Sequence, residues 1–256
     1  MVLVASVAVA FFALPLIGLL QRTPWSDLWS DLTSEQAREA LRLSLVCSLW
    51  ATGLAIVLGI PLAWVLARVD FVGRPFVRAL VLLPMVIPPV VGGVALLYAF
   101  GRSGLVGEQL YDWFGIQFTF NTSGAILAET FVAMPFLVIT VEAGLRSMDT
   151  RYEDAAATLG AGRWTTFRRV TLPFLAPSLV AGAALAWARA LGEFGATITF
   201  AGNFPGRTQT MPLAIYLANE TNPDEAIILS LVLIAVSFAV LVGLRDRFLG
   251  GGAPAA

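Results

Sequence analysis

Arg189 and Glu193 stand four residues apart inside an apolar stretch of this 256-residue chain, so on a helix they share one face. An ionisable group at membrane depth costs roughly 3 kcal/mol on insertion scales, and such groups face a bundle interior or an aqueous cavity. The pair therefore reads either as mutual neutralisation within one helix or as the lining of a gate. Gly192 and Gly195 around it would supply flexibility, and Thr197 and Thr199 supply hydroxyls beyond. Residues 200–212 follow as Phe-Ala-Gly-Asn-Phe-Pro-Gly-Arg-Thr-Gln-Thr-Met-Pro. Their glycines, amides, hydroxyls and single guanidinium offer donors to an oxyanion. A polar turn between spans is the simpler reading of that composition, and the composition alone assigns no binding site.

Other chemistries are excluded by what the chain lacks. All 16 basic residues are Arg, with no Lys and no His. A phosphate-loop lysine, a Schiff-base lysine and a histidine ligand or general base are therefore impossible. One cysteine, Cys47, allows neither an intrachain disulfide nor a thiolate metal cluster, and it reads as a small buried residue. No catalytic residue, metal site or cofactor is expected in this chain. A formal net charge of −1 without a basic tail argues against nucleic acid as a partner.

The elements that must position these residues are membrane helices. The chain is 58% hydrophobic and 13% charged, whereas soluble domains carry about 25% charged residues. A bilayer core about 30 Å thick needs roughly 20 apolar residues per helix, and six stretches qualify: 2–20, 43–67, 76–100, 124–141, 178–200 and 226–244. The expected fold class is all-α, a single polytopic membrane domain over 1–256. The first stretch lacks the positive leading region of a signal peptide and is counted as a span. Within the third, Pro84, Pro88 and Pro89 near Gly92 and Gly93 predict a broken helix facing protein or a channel. Ser34 predicts a helix cap for an interfacial helix leading toward the second span. Small residues in the second and fifth spans permit close helix approach.

Arg residues near span ends are retained in the cytoplasm. Arg68, Arg74, Arg78, Arg146, Arg151, Arg163, Arg168, Arg169, Arg245 and Arg247 fall on one side, against Arg22, Arg38, Arg42, Arg102 and Arg207 on the other. The first side is therefore read as the cytoplasm, with both termini inside. The longest cytoplasmic loop is 144–177.

That loop carries helix punctuation. Thr150-Arg151-Tyr152-Glu153 fits a capping box. Tyr152, Ala155, Ala156 and Leu159 then fall on one face of a short helix, whose end is set by Gly160 and Gly162. A stripe with alanines at its middle suits close docking in a groove of another protein, and equally suits covering the chain's own bundle.

The spacing from Asp154-Ala155-Ala156 through Gly160 to Val170, Leu172 and Pro173 resembles the coupling loop of ABC-importer permeases. The family pattern has Glu where Asp154 stands and more often Ile where Val170 stands. Residues 190–197 with 201–203 are similar to the oxyanion branch of that family, and residues 205–216 to its molybdate permeases. The resemblance extends over nearly the whole chain, including residues 83–93 and 141–146.

The resemblance implies the type I ABC-importer permease fold with six transmembrane helices, in a bacterial or archaeal plasma (inner) membrane. It implies a homodimer of permease subunits embedded in lipid, a cytoplasmic ABC ATPase dimer that binds ATP and Mg2+, and a periplasmic or extracellular oxyanion-binding protein. Transport would proceed by alternating access driven by the ATPase. Coupling would fall to Glu153, Asp154, Ala155, Ala156, Leu159, Gly160 and Arg163, with either carboxylate as the main contact. The translocation path or gate would fall to Pro88, Arg189, Glu193 and Thr197, with Glu193 assigned to gate structure because its charge repels dianions. Sulfate or tungstate are alternative cargoes; a multi-pass membrane enzyme or a structural scaffold are alternatives of another class.

Overall fold

The computed structural model describes residues 1–249, without the side chains of Leu241 and of residues 244–249. Arg245 and Arg247 of the charge asymmetry thus lie outside the described side chains.

Among the described residues the architecture is helical throughout. Helix α1 (Val2–Gln21) has 20 residues and none of them is buried. At 1.5 Å per residue it is about 30 Å long, a bilayer's hydrocarbon thickness, so its whole circumference is left to lipid or another subunit. After the short α2 (Leu28–Leu32), helix α3 (Glu35–Arg68) starts where Ser34 accepts a hydrogen bond from the Ala37 amide at 3.2 Å. The expected interfacial helix and second span are one continuous element.

The second span's small residues explain where it packs. Ala37, Ala40, Ser44, Cys47, Ala51, Ala55, Gly59 and Ala63 recur at intervals of three or four and are all buried. From Cys47 onward they lie chiefly against α7 (Thr122–Ser147), which in turn packs on α10 (Leu172–Leu191), whereas Ala37 and Ala40 pack beside Met211, Ala214 and Leu229. At Gly59 a β-carbon would come within 2.9 Å of Leu137 Cδ2, so this α7 side chain packs directly on the glycine. The main core, including Leu66, Leu137, Val141, Leu145 and Leu175, fills this three-helix layer.

The third span is broken as its prolines predict. Helices α4 (Arg74–Val86) and α5 (Pro89–Phe100) meet at a bend of 119°. Ile87 and Pro88 are extended, with ψ of 145° and 135°, because a residue preceding proline is held out of the helical region. Five other helices are each long and apolar enough to cross a membrane, and the bent pair makes a sixth when taken as one span.

The fifth span departs from expectation at both ends. It begins at α9 (Arg163–Thr166) and continues through a π turn (Phe167–Thr171) into α10. The expected start was residue 178, just after Pro177. Instead Pro173 sits in the first turn of α10, where its missing N–H is tolerated, and Pro177 lies within that helix. The span also ends early, at Leu191, and α11 (Gly195–Phe200) is a separate helix. Residues 101–123 and 201–225, expected as loops, contain α6 (Gly107–Phe114) and α12 (Met211–Thr221). Helix α12 buries Met211, Leu213, Ala214 and Ala218 and packs largely on α13 (Pro223–Leu249). The stretch 144–177, expected as a cytoplasmic loop, is reduced to α8 (Arg151–Thr158) and its flanks.

Candidate coupling surface and gate

None of the residues of helix α8 is buried, and local hydrogen bonds define both of its ends. The expected capping box does not form. Thr150 has helical backbone angles and no side-chain cap bond. Asp149 Oδ1 instead accepts from the Arg151 amide at 2.9 Å, so the acceptor lies one residue upstream of the predicted one. At the other end Gly160 adopts φ +82°, the Ala161 amide reaches Ala156 O at 3.0 Å, and the Gly160 amide reaches Ala157 O at 2.9 Å. This is a Schellman stop, and its left-handed residue is the glycine the sequence supplied.

The predicted stripe lies on the outside. Tyr152 is 62% and Leu159 89% exposed, Ala155 is exposed and Ala156 half-buried. Asp154 and Arg163 are exposed too. Glu153 points into its own subunit, where its Oε1 accepts from the Thr171 hydroxyl at 2.7 Å. Its Oε2 lies 3.6 Å from Arg68. Between α3, α8 and the α9–α10 helix runs an open groove of about 910 Å³, lined by Trp64, Arg68, Asp154, Arg163, Trp164 and Phe167 among others.

A second polar cluster joins the neighbouring helices α3, α4 and α7. Buried Glu142 on α7 pairs with Arg78 of α4 and with Arg146 of its own helix, the latter at 3.0 Å. Arg146 also donates to Leu66 O on α3 at 3.4 Å.

The candidate gate residues meet where α10 gives way to α11. Glu193 is 1% exposed and serves two donors: Arg189 at 2.5 Å and the Ala196 amide at 2.7 Å. It therefore neutralises Arg189 and caps α11 together. The bend at Pro88 lies beside this turn, because a β-carbon on Gly195 would come within 2.9 Å of Pro89 Cβ. Gly195 is thus a close-contact residue, correcting its expected role as a flexible joint. Thr197 is fully buried, and its hydroxyl has no protein partner among the described residues.

The loop after α11 is a closed turn. Thr208 Oγ1 accepts from the Phe204 amide at 2.9 Å and donates to Gly202 O at 3.1 Å. Arg207, the donor suited to an oxyanion, gives a hydrogen bond to Asn121 at 3.0 Å, while its carbonyl accepts from Thr122 at 2.8 Å. These bonds tie the loop to the start of α7. Tyr216 packs on Phe194 with ring centroids 5.1 Å apart, joining α12 to the α10–α11 break.

Two functional candidates were legible but not drawn from the sequence. Glu129 is a lone carboxylate within an apolar stretch, a signal equal in kind to that of Glu193. It is 1% exposed, and its Oε2 has no protein partner among the described residues. Glu142 stands four residues before Arg146, which signals an ion pair, but the bond to Arg78 spans 64 residues and has no local signature.

A model of the family described as binding-protein-dependent transport system inner membrane component matches residues 55–250. The chain belongs to that family. It is 47% identical over 243 residues to the molybdenum transport system permease protein ModB of Mycobacterium tuberculosis, covering 95% of this chain and 92% of that protein. ModB of Escherichia coli is 44% identical over 202 residues, covering 77% and 88%. The sulfate transport system permease protein CysT of Escherichia coli is 40% identical over 196 residues, covering 75% and 70%. Among solved structures, a bacterial ABC transporter involved in the import of alginate shares the permease's fold with a TM-score of 0.75. That match has 22% identity and covers 98% of this chain and 95% of the other. The MetNI methionine ABC transporter in an inward-facing form gives 0.60 at 20% identity, covering 83% and 93%. The permease is therefore an ABC-importer subunit with an all-helical membrane fold, and its relatives are permease subunits rather than enzymes.

Proposed function

We propose that the permease forms the pore of an ATP-driven molybdate importer. The observation that carries the cargo is the 47% identity to a ModB protein over 95% of the chain, against 40% over 75% for a sulfate permease. A pair of permease subunits, in a plasma membrane with their termini in the cytoplasm, is served by two cytoplasmic ATPases that bind ATP and Mg2+. An oxyanion-binding protein delivers cargo from outside. Each α8 enters a cleft of one ATPase through Tyr152, Ala155, Ala156 and Leu159, with Asp154 and Arg163 at its edge and Gly160 fixing its end.

ATP draws the motors together because it has greater affinity for the closed state, and the attached helices change the side to which the pore opens. Pro88, Arg189, Glu193 and Thr197 form the gate. Glu193 holds the α10–α11 turn and keeps Arg189 neutralised, so the cargo meets neither bare charge.

Sulfate is the second reading, favoured by the similarity to CysT. The test reconstitutes permease, ATPase and binding protein in liposomes with ATP on the cytoplasmic face. Molybdate should enter, and excess sulfate should leave its uptake nearly unchanged. Uptake of sulfate with none of molybdate would sink the assignment.

A further inference from the structure

Glu153 and Asp154 are neighbours on α8 with different surroundings. Asp154 is exposed. Glu153 joins three elements: α8, the π turn through Thr171, and the last residue of α3, Arg68. Thr171 is 3% exposed and closes the π turn, just before Leu172 and Pro173. Pro173 cannot give the amide hydrogen that would satisfy Arg169 O in an α-helix, so the helix is locally widened there. A widened turn with a thinned hydrogen-bond ladder is where a sideways load bends a long helix.

The attachment of α8 makes this carboxylate decisive. The helix buries no residue, and Gly160 and Gly162 follow it directly. A helix so weakly packed beside two glycines would swing under load and pass little of it on.

We propose that Glu153 is a transmission pin, carrying displacement of α8 into α10 through Thr171 and into α3 through Arg68. It is a positioning residue that acts within the permease, and the assignment rests on reading α8 as the ATPase-docking helix. Asp154 and the exposed stripe hold the motor; Glu153 passes the movement inward.

The test uses the reconstituted complex and the variants Glu153→Ala, Glu153→Gln, Thr171→Val and the double Glu153→Ala/Thr171→Val. Glu153→Ala should keep its ATPase and hydrolyse ATP within about twofold of the parent, while cargo imported per ATP falls about tenfold. Thr171→Val should lower the ratio through the same contact, and the double variant should add little to Glu153→Ala, as expected for residues that act as one unit. Glu153→Gln, whose amide oxygen still accepts from Thr171, should keep more coupling than Ala. Loss of the ATPase from Glu153→Ala would make the residue a docking contact and overturn the pin. An unchanged import ratio in both Glu153→Ala and Thr171→Val would overturn it equally.

A second measurement is independent of cargo and motor. Nitroxides placed by Thr158→Cys and Phe174→Cys, with fully buried Cys47 left unlabelled, report the α8–α10 distance in lipid nanodiscs. Glu153→Ala should broaden that distribution. If it stays as narrow as the parent's, the pin is wrong, whereas a parent complex that imports no oxyanion would instead overturn the functional reading.

Discussion

The Glu142 cluster at the ends of α4 and α7 and the α10–α11 break both bury a carboxylate that serves two donors, but only the first draws on a distant helix. Glu142 bonds Arg78 across 64 residues and Arg146 across four, and Arg146 in turn reaches Leu66 across 80. At the break, Glu193 draws on Arg189 and Ala196, four and three residues away. The first arrangement locks separate helices into one body. The second stabilises a turn within one segment and leaves adjoining helices tied only by packing, as at Gly195 against Pro89. A bond between helices resists their separation, whereas a bond within one segment does not.

The comparison breaks most visibly at the end of α8. Gly160→Pro asks a residue at φ +82° to take about −65°, so the helix stop cannot form. Import should be lost while the permease still inserts, as should follow from a bulky replacement at exposed Ala155; vesicle uptake beside membrane fractionation checks both. Normal uptake would remove the cytoplasmic side's transmitting role.

Stability separates the two carboxylates next. Glu193→Ala strands Arg189 in the bundle and uncaps α11, and should lower stability by about 3 kcal/mol. Glu142→Ala should lower it by about 2 kcal/mol, since Arg146 is nearly half exposed and water takes the place of its partner. Unfolding in detergent measures both, and equal losses would blur the distinction between a local and a cross-linking carboxylate. Glu193→Gln should recover part of the loss through the Ala196 amide.

Smaller effects sharpen the picture. Asp149→Ala should weaken α8 by about 1 kcal/mol and Thr150→Ala hardly at all, reversing the order the capping-box pattern predicts. Amide exchange of residues 151–154 reads this. Smallest of all, Glu129→Gln should change stability by less than about 1 kcal/mol, because Glu129 Oε2 has no protein hydrogen bond to lose. A large loss on unfolding would mean that the buried carboxylates at this depth form one network.

Much of this molecule was legible in order along the chain. Apolar runs located the helices, Ser34 marked the start of α3, and Gly160 the end of α8. Prolines differed with context: Pro88 broke its span, whereas Pro173 and Pro177 lie within theirs, Pro173 in the first turn of α10, where no hydrogen bond is needed from it. The candidate gate was half legible. The spacing of Arg189 and Glu193 left pairing or gate lining open and did not show that Glu193 lies beyond the helix and caps the next one.

The sequence by itself determined that the chain is a multi-span membrane protein without histidine or lysine chemistry, since hydropathy and composition are properties of residues alone. It also determined a short helix ending at Gly160, because a helix stop acts within a few positions. Only the tertiary structure decided which carboxylate faces outward and which turns inward. Glu153 and Asp154 are adjacent and chemically alike, and nothing local distinguishes them; Thr171 and Arg68, brought alongside by the packing of α10 and α3, do.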